Sequence, residues 1–172
     1  MTAKINKGKP VFDAYLDIET TGLSCQYADI TVIGIYLVGD KRPKFMQLVG
    51  KDINVNNLLE AVDGVGTFYT YNGSRFDMPF IHGSLGVNLE TIAEHHDLMY
   101  DCWRCNLRGG FKAVEQQLGI SRKLKGVNGL DAIFLWRKYL EYNDEEALDK
   151  LLKYNKEDVV NLKVLRDKLS QR

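Results

Sequence analysis

Residues 30–38, ITVIGIYLV, are a near-continuous apolar run rich in β-branched residues, and they read as a strand. Gly39-Asp40 is a turn signal, and 45–49 can return as a further strand, so this part of the chain reads as a hairpin-like meander. Residues 11–19 read as a strand ahead of it, with Val11, Phe12, Ala14, Leu16 and Ile18 supplying apolar surface. Residues 53–62 suit a short helix with Ile53, Leu58, Leu59 and Val62 as its apolar positions. Residues 65–70 read as another strand, ending at Tyr71-Asn72-Gly73. Pro79 is tolerated only in a first helical turn, which places a helix start at 76–78. From Asp97 onward the spacing is mostly helical, over 99–106, 111–118, 129–140 and 144–169, and Asn143 with Glu146 resembles a capping box. Strands first, helices later and alternation between them indicate an α/β fold with a mixed sheet.

The chain of 172 residues suits one domain with a sizeable core. We expect a short tail over 1–10 and a single domain over 11–172. Lys plus Arg number 23 and Asp plus Glu number 23, so the net charge is zero. That argues against coating duplex DNA by bulk charge, although it leaves room for an enzyme that grips a few nucleotides. No apolar run approaches the roughly 20 residues that span a bilayer, so no membrane partner is expected. The N-terminus, MTAKINKGKP, lacks the apolar stretch of a secretory signal. Three cysteines, an odd number, fit a reduced cytoplasmic protein better than a disulfide scaffold.

Acidic residues stand where an apolar pattern does not call for them. In a strand alternate side chains share a face, so Asp13, Tyr15, Asp17 and Glu19 project opposite Phe12, Ala14, Leu16 and Ile18. Asp17 and Glu19 are then about 6–7 Å apart along the strand. Two such carboxylates near a core repel each other and lose hydration unless a cation neutralises them. Oxygen ligands of this kind suit Mg²⁺ or Mn²⁺. Taken alone the pair is a weak signal, and a solvated strand end is the plainer reading. Asp77, in Tyr71-Asn-Gly-Ser-Arg-Phe-Asp77-Met-Pro-Phe80, opens a helix after a strand, where ligands bind open α/β sheets. It can equally do no more than complement the helix dipole. Tyr154 and Asp158, in YNKED, are four residues apart and share a helical face beside Leu151, Leu162 and Leu165. Tyr154 reads there as a site residue or as an ordinary core aromatic.

The order and spacing of the three clusters resemble the DEDD superfamily of 3′-to-5′ exonucleases, which has a ribonuclease-H-like fold. DIETTG is similar to the first exonuclease motif, YNGSRFDMPF to the second and YNKED to the third. Tyr154, four residues before Asp158, resembles the tyrosine subtype, DEDDy; the position where the histidine subtype carries His is Lys153. HDLMYDCWR, GGFKAVEQQLGI, LWRKYL and EALDKLLKYNKEDVVNL resemble the YprB-type group of that superfamily, and the likeness covers about residues 11–168. One departure is Cys102-Trp-Arg-Cys105, where relatives commonly carry apolar and basic residues; it touches none of the motif acids.

The resemblance implies a central mixed sheet of about five strands, the first three antiparallel, flanked by helices, with a helical C-terminal half. It implies two divalent cations, Mg²⁺ or Mn²⁺, held by Asp17, Glu19, Asp77 and Asp158. Such ions sit about 3.5–4 Å apart, one lowering the pKa of a water and the other stabilising the leaving 3′-oxygen. Asp17 is the acid expected to bridge both ions. Tyr154 would orient the attacking water, since its ordinary pKa of about 10 makes it a poor base. Glu19 would also meet the terminal 3′-hydroxyl by family analogy. Thr20, Thr21 and Gly22 would approach the terminal nucleotide, Leu23 would wedge against the last base, and Asn72 would contact the substrate backbone or fix the loop. Tyr71 and Phe76 flank the second motif and can stack on a base, while Phe76 reads more simply as anchoring the helix from the core side. The implied activity is metal-dependent 3′-to-5′ hydrolysis at single-stranded 3′ ends of DNA or RNA.

Charge along the chain is uneven. Residues 99–128 carry six basic residues, Arg104, Arg108, Lys112, Arg122, Lys123 and Lys125, against Asp101 and Glu115, a net of +4. Residues 141–158 carry seven acids against three lysines, a net of −4. A basic lobe beside an acidic one suits phosphate recruitment, and solvated helix faces explain it equally well. Two rival functions stand beside the nuclease: a nucleic-acid-binding module without turnover, and a thiol or zinc protein built on Cys102 and Cys105 with His95 and His96 nearby. The lone C-x-x-C lacks the paired spacing of a structural zinc site and reads as a helical face of thiols. His82 lies near the second motif, and Trp103, Trp136 and Phe111 read as packing residues.

Overall fold

The computed structural model describes residues 12–39 and 42–172, so the expected tail, Val11 and the Asp40 turn position lie outside the described residues. Five strands form one mixed sheet in the order β3-β2-β1-β4-β5. β1 (Phe12–Thr20), β2 (Ile30–Gly39) and β3 (Lys44–Val49) are an antiparallel meander. After α1 (Val55–Ala61), β4 (Val65–Thr70) returns on the other side of β1 and pairs with it in parallel. α2 (Asp77–Leu85) then leads to β5 (Glu94–Asp97), parallel to β4. The sequence pattern missed β5: its residues, EHHD, have no apolar alternation, and pairing with β4 is what makes them a strand.

The second half is helical as expected: α3 (Leu98–Arg104), α4 (Phe111–Leu118), α5 (Gly129–Tyr142) and α6 (Glu145–Leu169). The expected capping box at the last helix needs correction. Asn143 has φ 51° and closes α5 in the left-handed conformation, so Asp144 caps α6 instead, its carboxylate accepting from Ala147 N–H at 3.0 Å. Pro79 sits in the first turn of α2, where its missing N–H leaves no bond unmade.

Helices cover both faces of the sheet, which buries β1 on both sides. Ala14, Leu16 and Ile18 pack with Ile33, Ile35 and Phe68 against Leu58 of α1 and Phe80 and Ile81 of α2. On the opposite face Tyr15 and Tyr69 pack against Leu98 and Cys102 of α3, Val114 of α4, and Leu162 and Leu165 of α6. Val32 packs against Trp136, Leu151 and Tyr154. The strand face that carries Asp17 and Glu19 is therefore a second core face, not a solvated one. Parallel pairing of β1 and β4 brings their C-terminal ends to one edge of the sheet. That edge is where open α/β sheets bind ligands. Among the described residues no helix is long and apolar enough to cross a membrane.

Candidate active site

Three chain segments meet at the C-terminal edge of β1. Asp17 and Glu19 come from the strand, Asp77 from the first turn of α2, and Tyr154 and Asp158 from the inward face of α6. All five line one cleft of about 540 Å³. Oxygens of Asp17, Glu19 and Asp158 lie within 4.8 Å of one another, close enough to share one cation. Asp77 faces the same cleft, but its Oδ1 accepts the Ile18 backbone N–H at 3.1 Å, tying α2 to β1.

Burial and mutual repulsion set the electrostatics. Burial, then the charges of Asp158, Glu19 and Asp77, push the Asp17 carboxyl well above its ordinary range. Burial, then Asp158 and Asp77, does the same to Glu19. Burial pushes Asp77 up to about 7. Asp158 is raised to about 6 by burial, against the pull of the Arg122 guanidinium. Glu19 Oε1 is also buried with no hydrogen-bond partner among the described residues. Acids whose ionisation is disfavoured by burial and mutual repulsion, with one oxygen left unbonded among the described residues, are what a hard cation corrects. The donor set, carboxylate oxygen throughout, fits Mg²⁺ or Mn²⁺.

Other residues complete this arrangement in roles that the sequence motifs do not assign them. Asn155 is fully buried on α6; its Nδ2 donates to Asp17 Oδ2 and to Asp17 O, both at 3.2 Å, and its Oδ1 accepts from Gln47 Nε2 at 2.9 Å. Its room comes from Gly34, the register partner of Asp17 on β2. A glycine interrupting the apolar run 30–38 was the available signal, since a glycine inside a strand often marks a close approach. Arg122 stands in the sequence among the six basic residues of 99–128, where nothing local shows the role it takes here. Its guanidinium bridges Asp158 and the buried Glu115, and approaches Glu157 at 3.9 Å. Arg122 is thus a buried counter-ion rather than part of a solvated basic lobe. Arg104 is also engaged, with Asp101, whereas Arg108, Lys123 and Lys125 are exposed.

Tyr154 is buried to 6% exposure, and burial followed by the Asp158 charge raises its pKa, so its hydroxyl stays protonated at neutral pH. The Lys112 ammonium lies 4.5 Å from its ring centroid, and burial lowers that lysine's pKa. Asn72, at φ 62°, and its turn are held by Asp97: Oδ1 accepts from Asn72 N at 2.8 Å, and Oδ2 accepts from Ser74 Oγ at 2.7 Å. Asp97 also caps α3 through Met99 N. An acid directly before a helical segment was a readable cap signal; its grip on the distant turn was not.

Of the remaining expected contacts, Thr20, Gly22, Leu23, Asn72 and Phe76 line the cleft. Thr21 does not: its hydroxyl accepts from Asp29 N at 2.9 Å and stitches the turn to the following loop. Leu23 is 89% exposed at the cleft rim, and Leu130 of α5, which the sequence reading did not include, lines the cleft at 77% exposure. Phe76 also packs against the sheet core beside Phe80. His82 is exposed on α2 and does not line the cleft. Cys102 is buried with its pKa pushed up to about 12 by burial, and all three cysteines are free. His95 bonds Thr70 and Glu90, and His96 bonds Asp101. Among the described residues no group of cysteines and histidines closes around a metal-sized point.

Residues 14–170 match the model of a family described as RNase_H superfamily. Of the curated proteins, none matches the chain. Solved structures share the fold. The family B DNA polymerase of the hyperthermophilic archaeon Pyrobaculum calidifontis matches with TM-score 0.73 at 16% identity, over 93% of this chain and 24% of that one. The chain therefore spans about a quarter of the polymerase's length. Brucella melitensis NrnC bound to pGG matches with TM-score 0.62 at 21% identity, over 94% of this chain and 73% of NrnC. NrnC with bound Mg²⁺ matches with TM-score 0.50 at 17% identity, over 94% of this chain and 85% of that one.

Proposed function

The chain belongs to the RNase H superfamily, and from that membership and the buried acid cluster we propose that it is a metal-dependent 3′-to-5′ exonuclease of the tyrosine DEDD subtype. It acts on single-stranded 3′ ends of DNA or RNA. The observation that carries this reading is the convergence of Asp17, Glu19 and Asp158 within 4.8 Å, with Asp77 lining the same cleft. A cleft that only bound nucleic acid would gain nothing from buried acids, which repel phosphate. The NrnC structures, one with pGG and one with Mg²⁺, lend support to a nucleic-acid substrate and to magnesium.

Asp17, Glu19, Asp77 and Asp158 would hold two divalent ions. When bound, these ions neutralise the cluster and supply the Lewis acidity that phosphodiester hydrolysis needs. The chain's own groups do the positioning. Asn155 fixes one oxygen and the backbone carbonyl of Asp17, which sets the direction of that carboxylate. The protonated Tyr154 hydroxyl holds the attacking water by a hydrogen bond and is no base. Leu23 and Leu130, exposed at the rim, bracket the terminal base, and the Thr20–Gly22 backbone approaches its sugar. The free cysteines fit the reducing cytoplasm.

The test uses 5′-end-labelled single strands of DNA and of RNA, incubated with Mg²⁺, with Mn²⁺ and with EDTA. A ladder shortening from the 3′ end, with metal only and blocked by a 3′-phosphate, is expected. Tight binding without products would instead establish a binding module, and no metal-dependent product on either polymer overturns the reading.

A further inference from the structure

The turn that carries Asn72 into the cleft runs on into an aromatic and cationic cluster with no part in the chemistry above. Trp103 of α3 is half-buried, with the Arg75 guanidinium 5.7 Å and the Arg108 guanidinium 5.8 Å from its ring centroid. Tyr100 meets the indole edge-on at 5.4 Å. Both arginines are exposed, and among the described residues neither forms an ion pair, in contrast to the neighbouring Arg104, which pairs with Asp101. Cation–π contact at an exposed site contributes only about 0.5–1 kcal/mol. It is a weak reason to gather two like charges on one indole.

Both arginines are also held in place from the cleft side. The Arg75 N–H donates to Asn72 O at 3.2 Å, which puts its Cα within about 7 Å of Asn72, a cleft residue. Ser74, next to Arg75, is bonded to Asp97 through both its N–H and its hydroxyl. Tyr71, another cleft residue, donates its hydroxyl to Gly109 O at 2.7 Å, beside Arg108. The backbone that carries each arginine is therefore tied to the cleft, Trp103 gathers the two guanidiniums, and among the described residues neither has an anionic partner. Guanidinium groups recognise phosphate through paired N–H donors, and an arginine–aromatic surface suits single strands, whose backbone it tracks and whose bases it stacks.

We propose that Arg75, Trp103 and Arg108 form a second nucleotide subsite, which holds a backbone phosphate of the single strand on the 5′ side of the nucleotide being removed. The proposal rests on the exonuclease reading for the direction of the strand. A two-nucleotide strand has no phosphate beyond the one cleaved and does not reach this subsite; a six-nucleotide strand does.

The test compares the full chain with its Arg75→Ala/Arg108→Ala variant, using oligothymidylates of two and six nucleotides in EDTA. It also follows hydrolysis of the p-nitrophenyl ester of thymidine 5′-monophosphate with Mn²⁺. The variant is expected to bind the six-mer about tenfold or more weakly, with the slope of log affinity against log salt reduced by about 0.7, the contribution of one single-strand phosphate contact. Two-mer binding and ester hydrolysis should stay unchanged, and an Arg75→Lys/Arg108→Lys variant should recover most of the salt slope. In a Trp136→Phe background, six-mer binding should change the fluorescence of Trp103. Six-mer affinity and salt slope unaltered in the alanine variant would overturn the subsite, even with a fully active ester hydrolase. A parent protein that binds the six-mer through these arginines but hydrolyses neither ester nor strand would uphold the surface and overturn the exonuclease reading.

Discussion

Gly34 and Asn155 share one space: the Cβ that Gly34 lacks would come within 2.9 Å of Asn155 Cγ and overlap its Oδ1. Gly34 is the register partner of Asp17, and Asn155 is the residue that bonds Asp17, so the missing side chain on β2 is what lets α6 reach the candidate ligand. Gly34→Ala should therefore displace Asn155 and break its bonds to Asp17 and Gln47. Overpacking of this kind costs about 1–3 kcal/mol. Thermal unfolding should show that loss, and calorimetric titration with Mn²⁺ should show about 10–100-fold weaker binding, the range for losing an outer partner of a ligand. Unchanged metal affinity would remove Asn155 from the site's support.

Asp77 has two separable duties, a structural bond to Ile18 N–H and a proposed metal contact. Asp77→Asn keeps an acceptor for that N–H and removes the buried charge; Asp77→Ala removes both. The Asn variant should keep or gain thermal stability and lose strand hydrolysis by more than about a hundredfold. The Ala variant should lose both. Hydrolysis retained in the Asn variant would leave Asp77 with the structural duty alone.

The raised carboxyl pKa values make metal-free stability fall as pH rises. Asp77 ordinarily titrates near 3.8 and in the fold near 7, so between those values the folded chain holds a proton that the unfolded chain has lost. Asp158 behaves alike between 3.8 and about 6. Stability from these groups is present below the lower value and is lost as pH climbs to the upper one. Mg²⁺ binds the ionised acids, so its stabilising effect should grow with pH across that window. Melting curves in EDTA and in Mg²⁺ at several pH values check this, and Asp77→Asn should flatten the metal-free slope. A Mg²⁺ effect independent of pH would contradict it.

Tyr154→Phe removes one hydroxyl and keeps the ring that lies beside Lys112 and Arg122. A lost hydrogen bond to a reacting water should slow strand hydrolysis about 10–100-fold. Melting temperature should hardly move, and the pH–rate profile should keep its shape, because a protonated tyrosine is no base. A lost limb in that profile would show that Tyr154 titrates in catalysis.

Arg122 neutralises Asp158 and Glu115 from inside the fold. Arg122→Gln leaves those acids unpaired, and breaking a buried pair costs about 3–5 kcal/mol. Added Mn²⁺ should restore more stability to this variant than to the parent, because Asp158 then keeps only the Lys112 ammonium as a counter-charge and has no ion pair among the described residues. Equal restoration in both would show that Arg122 and metal do not share Asp158.

Local pattern carried a large part of this structure. The two-residue repeat placed Asp17 and Glu19 on one face of β1, the four-residue spacing placed Tyr154 and Asp158 on one face of α6, and Pro79 fixed the start of α2. These are periods of a single element, readable from residues a few positions apart. The strand EHHD escaped because its existence depends on a partner strand, not on its own composition. Tertiary structure alone decided that the Asp17 face is buried, because α6 covers it, and that Asp77 bonds Ile18 across the sheet edge. It also decided that Asn155 meets Asp17 over the gap at Gly34 and that Arg122 spans Glu115 and Asp158. Each of those contacts joins different elements of the fold, and only the packing of helix on sheet sets such distances, so no local period encodes them.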